Sequence, residues 1–70
     1  MELNERLKQL RKTRSVTQVQ VAAGCGMAER AYRRIEAGNK PSYDALISLA
    51  KYFDVSLDYL VGRSDNPTRK

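Results

Sequence analysis

Apolar residues near the start of the chain recur three and four positions apart, which is the spacing of an amphipathic helix. Leu3, Leu7 and Leu10 lie on one face of such a helix. The pattern predicts a first helix over residues 2–13, interrupted by "RSV" at 14–16. The leucine face is expected to pack into the core.

The next segment carries the signals of a helix start. Thr17 followed three residues later by Gln20 fits a capping box, and Val16 with Val21 fits a hydrophobic staple. These signals predict that Thr17 is the N-cap of a second helix, which runs from Gln18 to about Gly24.

A third helix is expected after a short turn in which Gly26 permits positive φ. It is predicted from Ala28 to Ala37, ended by Gly38 as a left-handed C-cap. Five apolar side chains are expected to hold the second and third helices together and against the first: Val21, Cys25, Met27, Tyr32 and Ile35. Two helices joined by so short a turn have the spacing of a helix-turn-helix.

Two more helices follow. Ser42 is the expected N-cap of a fourth helix with one apolar face made by Leu46, Leu49, Ala50 and Phe53. Val55 and Ser56 repeat the staple and the cap for a short fifth helix, with Leu60 as the staple partner, ending near Val61 and Gly62. No strand pattern is present, so the sequence predicts an all-α, compact bundle of about five helices.

The chain ends in "RSDNPTRK", residues 63–70, which is polar and contains a proline. Such a terminal segment is expected to fray. The predicted organisation is therefore one domain over residues 1–62 followed by a flexible polar tail over 63–70.

Composition restricts the cellular setting. The chain has 70 residues and a single cysteine, so no internal disulfide can form, which favours a reducing compartment. No apolar run approaches the roughly 20 residues that span a bilayer. We expect a cytoplasmic protein without a membrane partner.

The charge is unevenly distributed. The net charge is +5, but residues 6–40 contain nine lysines and arginines against two acids, so this segment is +7 and the remainder is −2. A domain with one basic half favours an anionic partner, most often nucleic acid.

An enzyme is not expected. The chain contains no histidine, and Cys25 lies on an apolar stripe without a neighbouring base. No cluster of histidine, cysteine and carboxylate suits zinc, and no glycine-rich phosphate loop occurs. We expect no cofactor and no metal.

The stretch from Glu5 to Gly62 resembles the phage-repressor (Cro/CI, or XRE) family of helix-turn-helix DNA-binding domains. The motifs that carry the resemblance are "LRKTRSVTQ", "RRIEAG" and "LAKYFDVSLDYL". The resemblance implies a lambda-repressor-like fold in which helix 3 enters the major groove of double-stranded DNA. The chain departs from the usual family pattern at Val19, Gly24, Ala28 and Asp54.

Helix 3 has a basic side that fits this role. At 100° per residue, one arc of about 140° carries Glu29, Arg30, Arg33, Arg34 and Ala37. Arginine can pair in bidentate fashion with guanine. Motif position makes Glu29, Arg30 and Arg34 the expected base readers, and Arg33 a contact to a base or a phosphate. The alternatives are a solvated surface and, for Glu29, pairing with Arg33.

The resemblance also implies supporting roles. Gln18 resembles the family glutamine that touches phosphate and steadies the recognition helix. Thr17 and Lys40 are further candidate backbone contacts. Arg11 and Glu36 occupy positions that form an ion pair between helix 1 and the end of the recognition helix. We interpret that pair as structural, not catalytic.

These observations favour a sequence-specific transcriptional regulator, a repressor on a near-palindromic operator. An antitoxin that also binds DNA and a protein-binding adaptor are the alternatives. A homodimer is expected, because one recognition helix contacts too few base pairs to select a genomic site. Tyr59 and Val61 are the candidate dimer interface; otherwise they complete the core.

Overall fold

The computed structural model describes residues 1–68, which form five helices and no strand. In chain order the helices are α1 (Leu3–Arg14), α2 (Gln18–Gly24), α3 (Glu29–Glu36), α4 (Tyr43–Phe53) and α5 (Leu57–Leu60). The domain measures 28 × 23 × 19 Å. The predicted all-α bundle of about five helices is confirmed. Across these residues, no helix combines the length and the apolar character needed to cross a membrane.

Three of the helices begin at residues whose side chains cap them. The Thr17 hydroxyl accepts from the Gln20 backbone N–H at 3.1 Å, and the Gln20 side chain accepts from the Thr17 N–H at 2.7 Å. Ser42 and Ser56 accept in the same way at the starts of α4 and α5. These hydrogen bonds confirm the predicted N-caps. The sequence could predict them because capping depends only on residues close in sequence.

Both ends of α1 and both ends of α3 differ from the prediction by one residue. Helix α1 extends through Arg14 because Ser15 ends it in the left-handed conformation, with φ of 55°. Helix α3 begins at Glu29, because Ala28 has an extended backbone and serves as the N-cap, and it ends at Glu36. The C-cap of α3 is Ala37 and not the predicted Gly38, which follows it with a φ of 110°.

The core lies where all five helices meet. Its largest fully buried side chains are Tyr32, Phe53, Leu7, Leu49, Leu60 and Val21. Burying an aliphatic or aromatic side chain of this size contributes about 1.5–3 kcal/mol. Cys25 and Met27 pack against this core but are only partly buried.

Gly24 permits a close approach between α2 and α4. A Cβ atom at this position would overlap the ring of Tyr52. That ring in turn packs edge-on against Phe53, with centroids 5.0 Å apart. The departure from the family pattern at Gly24 therefore has a local cause, which is the aromatic ring that occupies the space of a Cβ atom.

A buried arginine joins the two ends of the domain. Arg6 is only 5% exposed, and its Nε donates to the Tyr59 carbonyl at 3.0 Å. Its guanidinium lies over the Tyr59 ring, 3.8 Å from the centroid. Arg6 also forms an ion pair with Asp65 at 3.6 Å. This arginine fixes α1 against α5.

The described part of the polar tail returns to α5. The Ser56 N–H donates to the Pro67 carbonyl at 3.1 Å, and the Arg63 N–H donates to the Asp58 carbonyl at 2.8 Å. Residues 69–70 of the predicted tail lie outside the described residues. The division at residue 62 and the flexibility of the tail stay predictions.

Candidate nucleic-acid interface

The turn between α2 and α3 sets the position of α3. Gly26 has a φ of 69°, which a glycine adopts without strain. The next N–H, from Met27, returns to the Ala22 carbonyl at 3.0 Å. Ala22 is 2% exposed, and its small side chain allows the two helices to lie close together. The turn is therefore tied to α2 by its own backbone.

Helix α3 has one buried side and one exposed side. Tyr32, Ile35 and Glu36 are buried. The opposite side is the basic arc predicted from the sequence, with Arg30, Arg33, Arg34 and Ala37 exposed and Glu29 partly exposed. The helix thus presents a compact row of arginines to solvent.

The three arginines on that side are not equivalent. Arg33 forms an ion pair with Glu29, one turn earlier, through Nη2 and Oε2. Within residues 1–68, Arg30 and Arg34 form no ion pair and no side-chain hydrogen bond. Two guanidinium groups are therefore available to an anion, while the third already has a carboxylate beside it.

Glu36 anchors the end of α3 to two other helices. Arg11 on α1 donates to it through Nε at 2.5 Å and Nη2 at 3.0 Å. Gln18, the first residue of α2, donates its Nε2 to Glu36 Oε1 at 3.1 Å. The structure brings together the two residues of the ion pair that the resemblance implies and adds Gln18 to them.

Burial and pairing act in opposite directions on Glu36. Burial alone would raise its pKa, but the hydrogen bonds from Arg11 and Gln18 hold the pKa below its ordinary value of 4.5. The same pairing raises the pKa of Arg11. Tyr32 lies beside the pair, and burial raises the pKa of its hydroxyl far above the ordinary range. The cluster is therefore an ion pair at neutral pH, beside a neutral phenol.

The candidate backbone contacts lie at two places. Thr17 is exposed, and Gln18 is partly exposed at the start of α2, where its amide is shared with Glu36. Lys40 is exposed in the loop between α3 and α4. Lys40 and Arg34 both line a groove of about 540 Å³ whose walls include Met27, Ala31 and Pro41.

The sequence pattern did not predict two exposed apolar residues near these segments. Val19, the second residue of α2, is 54% exposed, and Tyr43, the first residue of α4, is 70% exposed. Both lie in the first turn of a helix, where a single apolar residue does not show whether its side chain faces the core or the solvent. Val19 follows Gln18 directly and Tyr43 lies three residues after Lys40, so both are further candidates for the interface.

The candidate dimer residues are less exposed than expected. Tyr59 is partly buried, packs against the core, and has one ring face covered by Arg6. Val61, the C-cap of α5, is also partly buried. The exposed large apolar side chains of the described chain are instead Met1, Val19 and Tyr43. The dimer role of Tyr59 and Val61 stays a prediction.

Metal chemistry finds no support in the described part of the chain. No group of three or more histidine, cysteine, aspartate or glutamate residues is arranged there to hold an ion. Cys25 is partly buried, and burial raises the pKa of its thiol. Its Sγ donates to the Ser48 carbonyl at 3.6 Å.

The family that matches the sequence agrees with this helix-turn-helix architecture. The model of the helix-turn-helix family matches residues 7–60. The uncharacterized HTH-type transcriptional regulator YobD of Bacillus subtilis is 43% identical over 67 residues, which are 94% of this chain and 60% of YobD. No solved structure gives a significant match. The resemblance to the phage-repressor (XRE) family is confirmed.

Two further relatives differ in their direction of regulation. The cryptic phage CTXphi transcriptional repressor RstR of Vibrio cholerae is 34% identical over 64 residues, 90% of this chain and 57% of RstR. The HTH-type transcriptional activator BcrR of Enterococcus faecalis is 36% identical over 62 residues, 87% of this chain and 30% of BcrR. The matched part of this chain spans at most 60% of the length of these three relatives.

The pairing of Glu36 predicts a specific dependence of stability on pH. Because the folded state lowers the pKa of Glu36 below 4.5, the unfolded chain binds more protons in that range. The stabilisation is fully present above about pH 4.5 and is lost as pH falls through the lowered pKa. Glu36→Gln should lower the free energy of unfolding by about 1–3 kcal/mol at pH 7. Between about pH 5 and pH 3, the range around the ordinary carboxyl pKa, the variant should lose less stability than the wild type.

Urea unfolding followed by circular dichroism measures both quantities. Asp44→Asn, at an exposed first-turn carboxylate of α4, is the matched control and should keep the pH dependence of the wild type. Equal pH dependence in wild type and Glu36→Gln would show that Glu36 does not carry the effect.

Proposed function

The chain belongs to the helix-turn-helix family of DNA-binding transcription regulators, and from this we propose that it is a sequence-specific repressor that reads DNA with α3. The observation that carries the proposal is the exposed arginine side of α3, held in place from its buried side by Glu36. The major groove of B-DNA is about 12 Å wide and admits an α-helix. A helix with anchored ends can present its side chains to base edges in one register.

Four residues of α3 are the proposed base contacts: Glu29, Arg30, Arg33 and Arg34. Arg30 and Arg34 are the principal readers, because neither is engaged by a carboxylate in the described chain. A guanidinium matches the O6 and N7 acceptors of guanine in bidentate fashion. We therefore expect at least one G·C pair in each half of the preferred site.

Contacts to phosphate would set the orientation of the domain on DNA. Gln18 has two amide N–H groups, and one of them is used by Glu36. The second can donate to a phosphate oxygen, so one side chain would connect the DNA backbone to the anchor of α3. Thr17 and Lys40, both exposed, are the other proposed backbone contacts.

The structure reduces the number of cations that DNA can recruit. Of the nine lysines and arginines in residues 6–40, four have partners: Arg6, Arg11, Arg14 and Arg33. The other five form no ion pair within the described residues: Lys8, Lys12, Arg30, Arg34 and Lys40. If these five side chains alone neutralise phosphates, log affinity should fall with log salt with a slope of about −4.5 per protomer.

Repression is the proposed direction of regulation. RstR is a repressor and BcrR an activator, so family membership alone leaves the direction open. Repression requires only that the protein occupies DNA that polymerase needs, and α3 offers the surface for occupancy. A cytoplasmic location is part of the proposal, because the proposed target is DNA. Transcription in vitro from a promoter that overlaps the selected site should fall as the protein is added.

A homodimer on DNA completes the proposal. One α3 helix contacts only a few base pairs, which is too little to select a site from a genome's roughly 10⁶–10⁹ competitors. Two copies bound about 34 Å apart along the duplex would double the contacts and require a near-palindromic site. The proposed interface lies at the end of α5 and includes Tyr59 and Val61, both of which retain some exposure.

The contact of Arg34 with a base can be separated from the contact of Lys40 with phosphate. A preferred site is first selected from random duplex DNA. Arg34→Ala should cost about 1–3 kcal/mol on that site and relax preference at one base pair. Lys40→Ala should weaken all sequences alike and make the salt slope shallower by about 1. Unchanged affinity and preference in Arg34→Ala would exclude its assignment as a base reader.

The proposed dimer can be tested by the number of protein copies that bind one DNA site. Val61→Glu introduces a charge at the proposed interface, so it should abolish cooperative binding of two copies and leave weaker binding of one copy. Ala23→Glu, at an exposed position near the end of α2, adds the same charge elsewhere and should bind like the wild type. Native mass spectrometry of the complexes and footprinting provide the readouts. A one-copy wild-type complex on an asymmetric site would contradict the dimer.

A further inference from the structure

The ion pair between Glu29 and Arg33 sets these two residues apart from the other charges of α3. Glu29 lies four residues before Arg33, and its Oε2 contacts Arg33 Nη2. The glutamate precedes its cationic partner, which is the more favourable order for pairs at this spacing on a helix. The Glu29 side chain is 37% exposed and that of Arg33 is 62% exposed, so the pair lies on the outer side of the helix.

In water such a pair adds little to stability, about 0.3–0.5 kcal/mol for helix pairs of this spacing. Its significance is geometric. A carboxylate beside a guanidinium restricts the directions in which the remaining donors point. Arginine has five N–H groups, so after one bond to Glu29 four remain, enough for bidentate contact with guanine O6 and N7. Displacement of water from the groove would strengthen the pair.

The pair also decides between a base and a phosphate as the target of Arg33. Glu29 and Arg33 together carry no net charge, whereas Arg30, Arg34 and Lys40 are unpaired cations within residues 1–68. A carboxylate beside the guanidinium repels a phosphate. It does not repel the O6 and N7 edge of guanine to the same extent, because that edge carries no full charge. Arg33 is therefore better suited to a base edge than to the backbone.

We propose that Glu29 is a positioning residue that holds the Arg33 guanidinium for bidentate contact with one guanine, so that the two residues act as a single specificity element. This inference rests on the proposed function and assigns roles within its site. It revises the base contact proposed above for Glu29: Glu29 acts through Arg33 and does not read cytosine itself. Arg33 contributes to sequence preference more than to non-specific affinity.

Binding of single-base variants of the selected site tests the proposal. Fluorescence anisotropy is measured with wild type, Glu29→Gln, Arg33→Ala and the double variant. Arg33→Ala should lower preference at one G·C pair about tenfold. Glu29→Gln should lower preference at the same pair by about three- to fivefold, part of one such contact. The double variant should lose no more than Arg33→Ala alone, because the two residues act through one contact.

A second readout separates positioning from a general effect of charge or folding. Glu29→Gln removes a negative charge, so binding to unrelated duplex DNA should strengthen while preference for the selected site falls. Asp44→Asn removes an exposed carboxylate at the start of α4 and should leave base preference unchanged. Thermal unfolding verifies that each variant is folded. A variant with a merely weakened helix would lose affinity for all DNA and retain its base preference.

Three results would overturn the proposal. Loss of preference at a different base pair in Glu29→Gln would show that Glu29 reads a base directly. Additive losses in the double variant, or no change in Glu29→Gln, would show that the two residues act independently. In each of these cases the wild type still selects a site and the proposed function stands. A wild type that selects no sequence would remove both.

Discussion

Glu36 receives hydrogen bonds from two other helices, and this convergence determines where α3 lies. Arg11 reaches it from α1 and Gln18 from the start of α2. A buried carboxylate without partners destabilises a fold by several kcal/mol. Displacement of α3 from α1 or α2 would remove hydrogen bonds to Glu36 and is therefore unfavourable. The anchor lies on the buried side of the helix whose opposite side carries the arginines. Packing of the core and presentation of the interface therefore depend on the same residue.

The distribution of partners matters more than the net charge. Arg14 donates to the Phe53 carbonyl at the end of α4, and Arg6 is buried against Tyr59. Both are structural cations, although they belong to the basic half of the sequence. Arg30 and Arg34 lack such partners within residues 1–68 and share one exposed helical side. The surface available to an anion is thus smaller and better defined than a charge of +7 over residues 6–40 implies.

Local sequence signals predicted most of the fold but few of the contacts that hold it together. Capping at Thr17 and Ser56 involves residues three apart, so it is visible in the chain itself. The contact of Arg6 with Tyr59 joins residues 53 positions apart, and no periodicity reports it. For the candidate site, periodicity predicted the exposed arc of α3, and family resemblance supplied the pair of Arg11 with Glu36. The resemblance also implied that Gln18 steadies the recognition helix, but it did not indicate that Gln18 would share the carboxylate of Glu36.

The central claim is that the exposed side of α3 binds DNA while Glu36 holds its buried side in place. Titration of the isotope-labelled protein with its selected duplex, followed by NMR, tests this most directly. The account predicts that the largest changes in amide and guanidinium chemical shift occur along α3, at Gln18 and at Lys40. The signals of Arg11 and Glu36 should show that their hydrogen bonds persist in the complex. Large changes confined to the groove between α4 and α5, around Ile47 and Leu57, with α3 unaffected would contradict it.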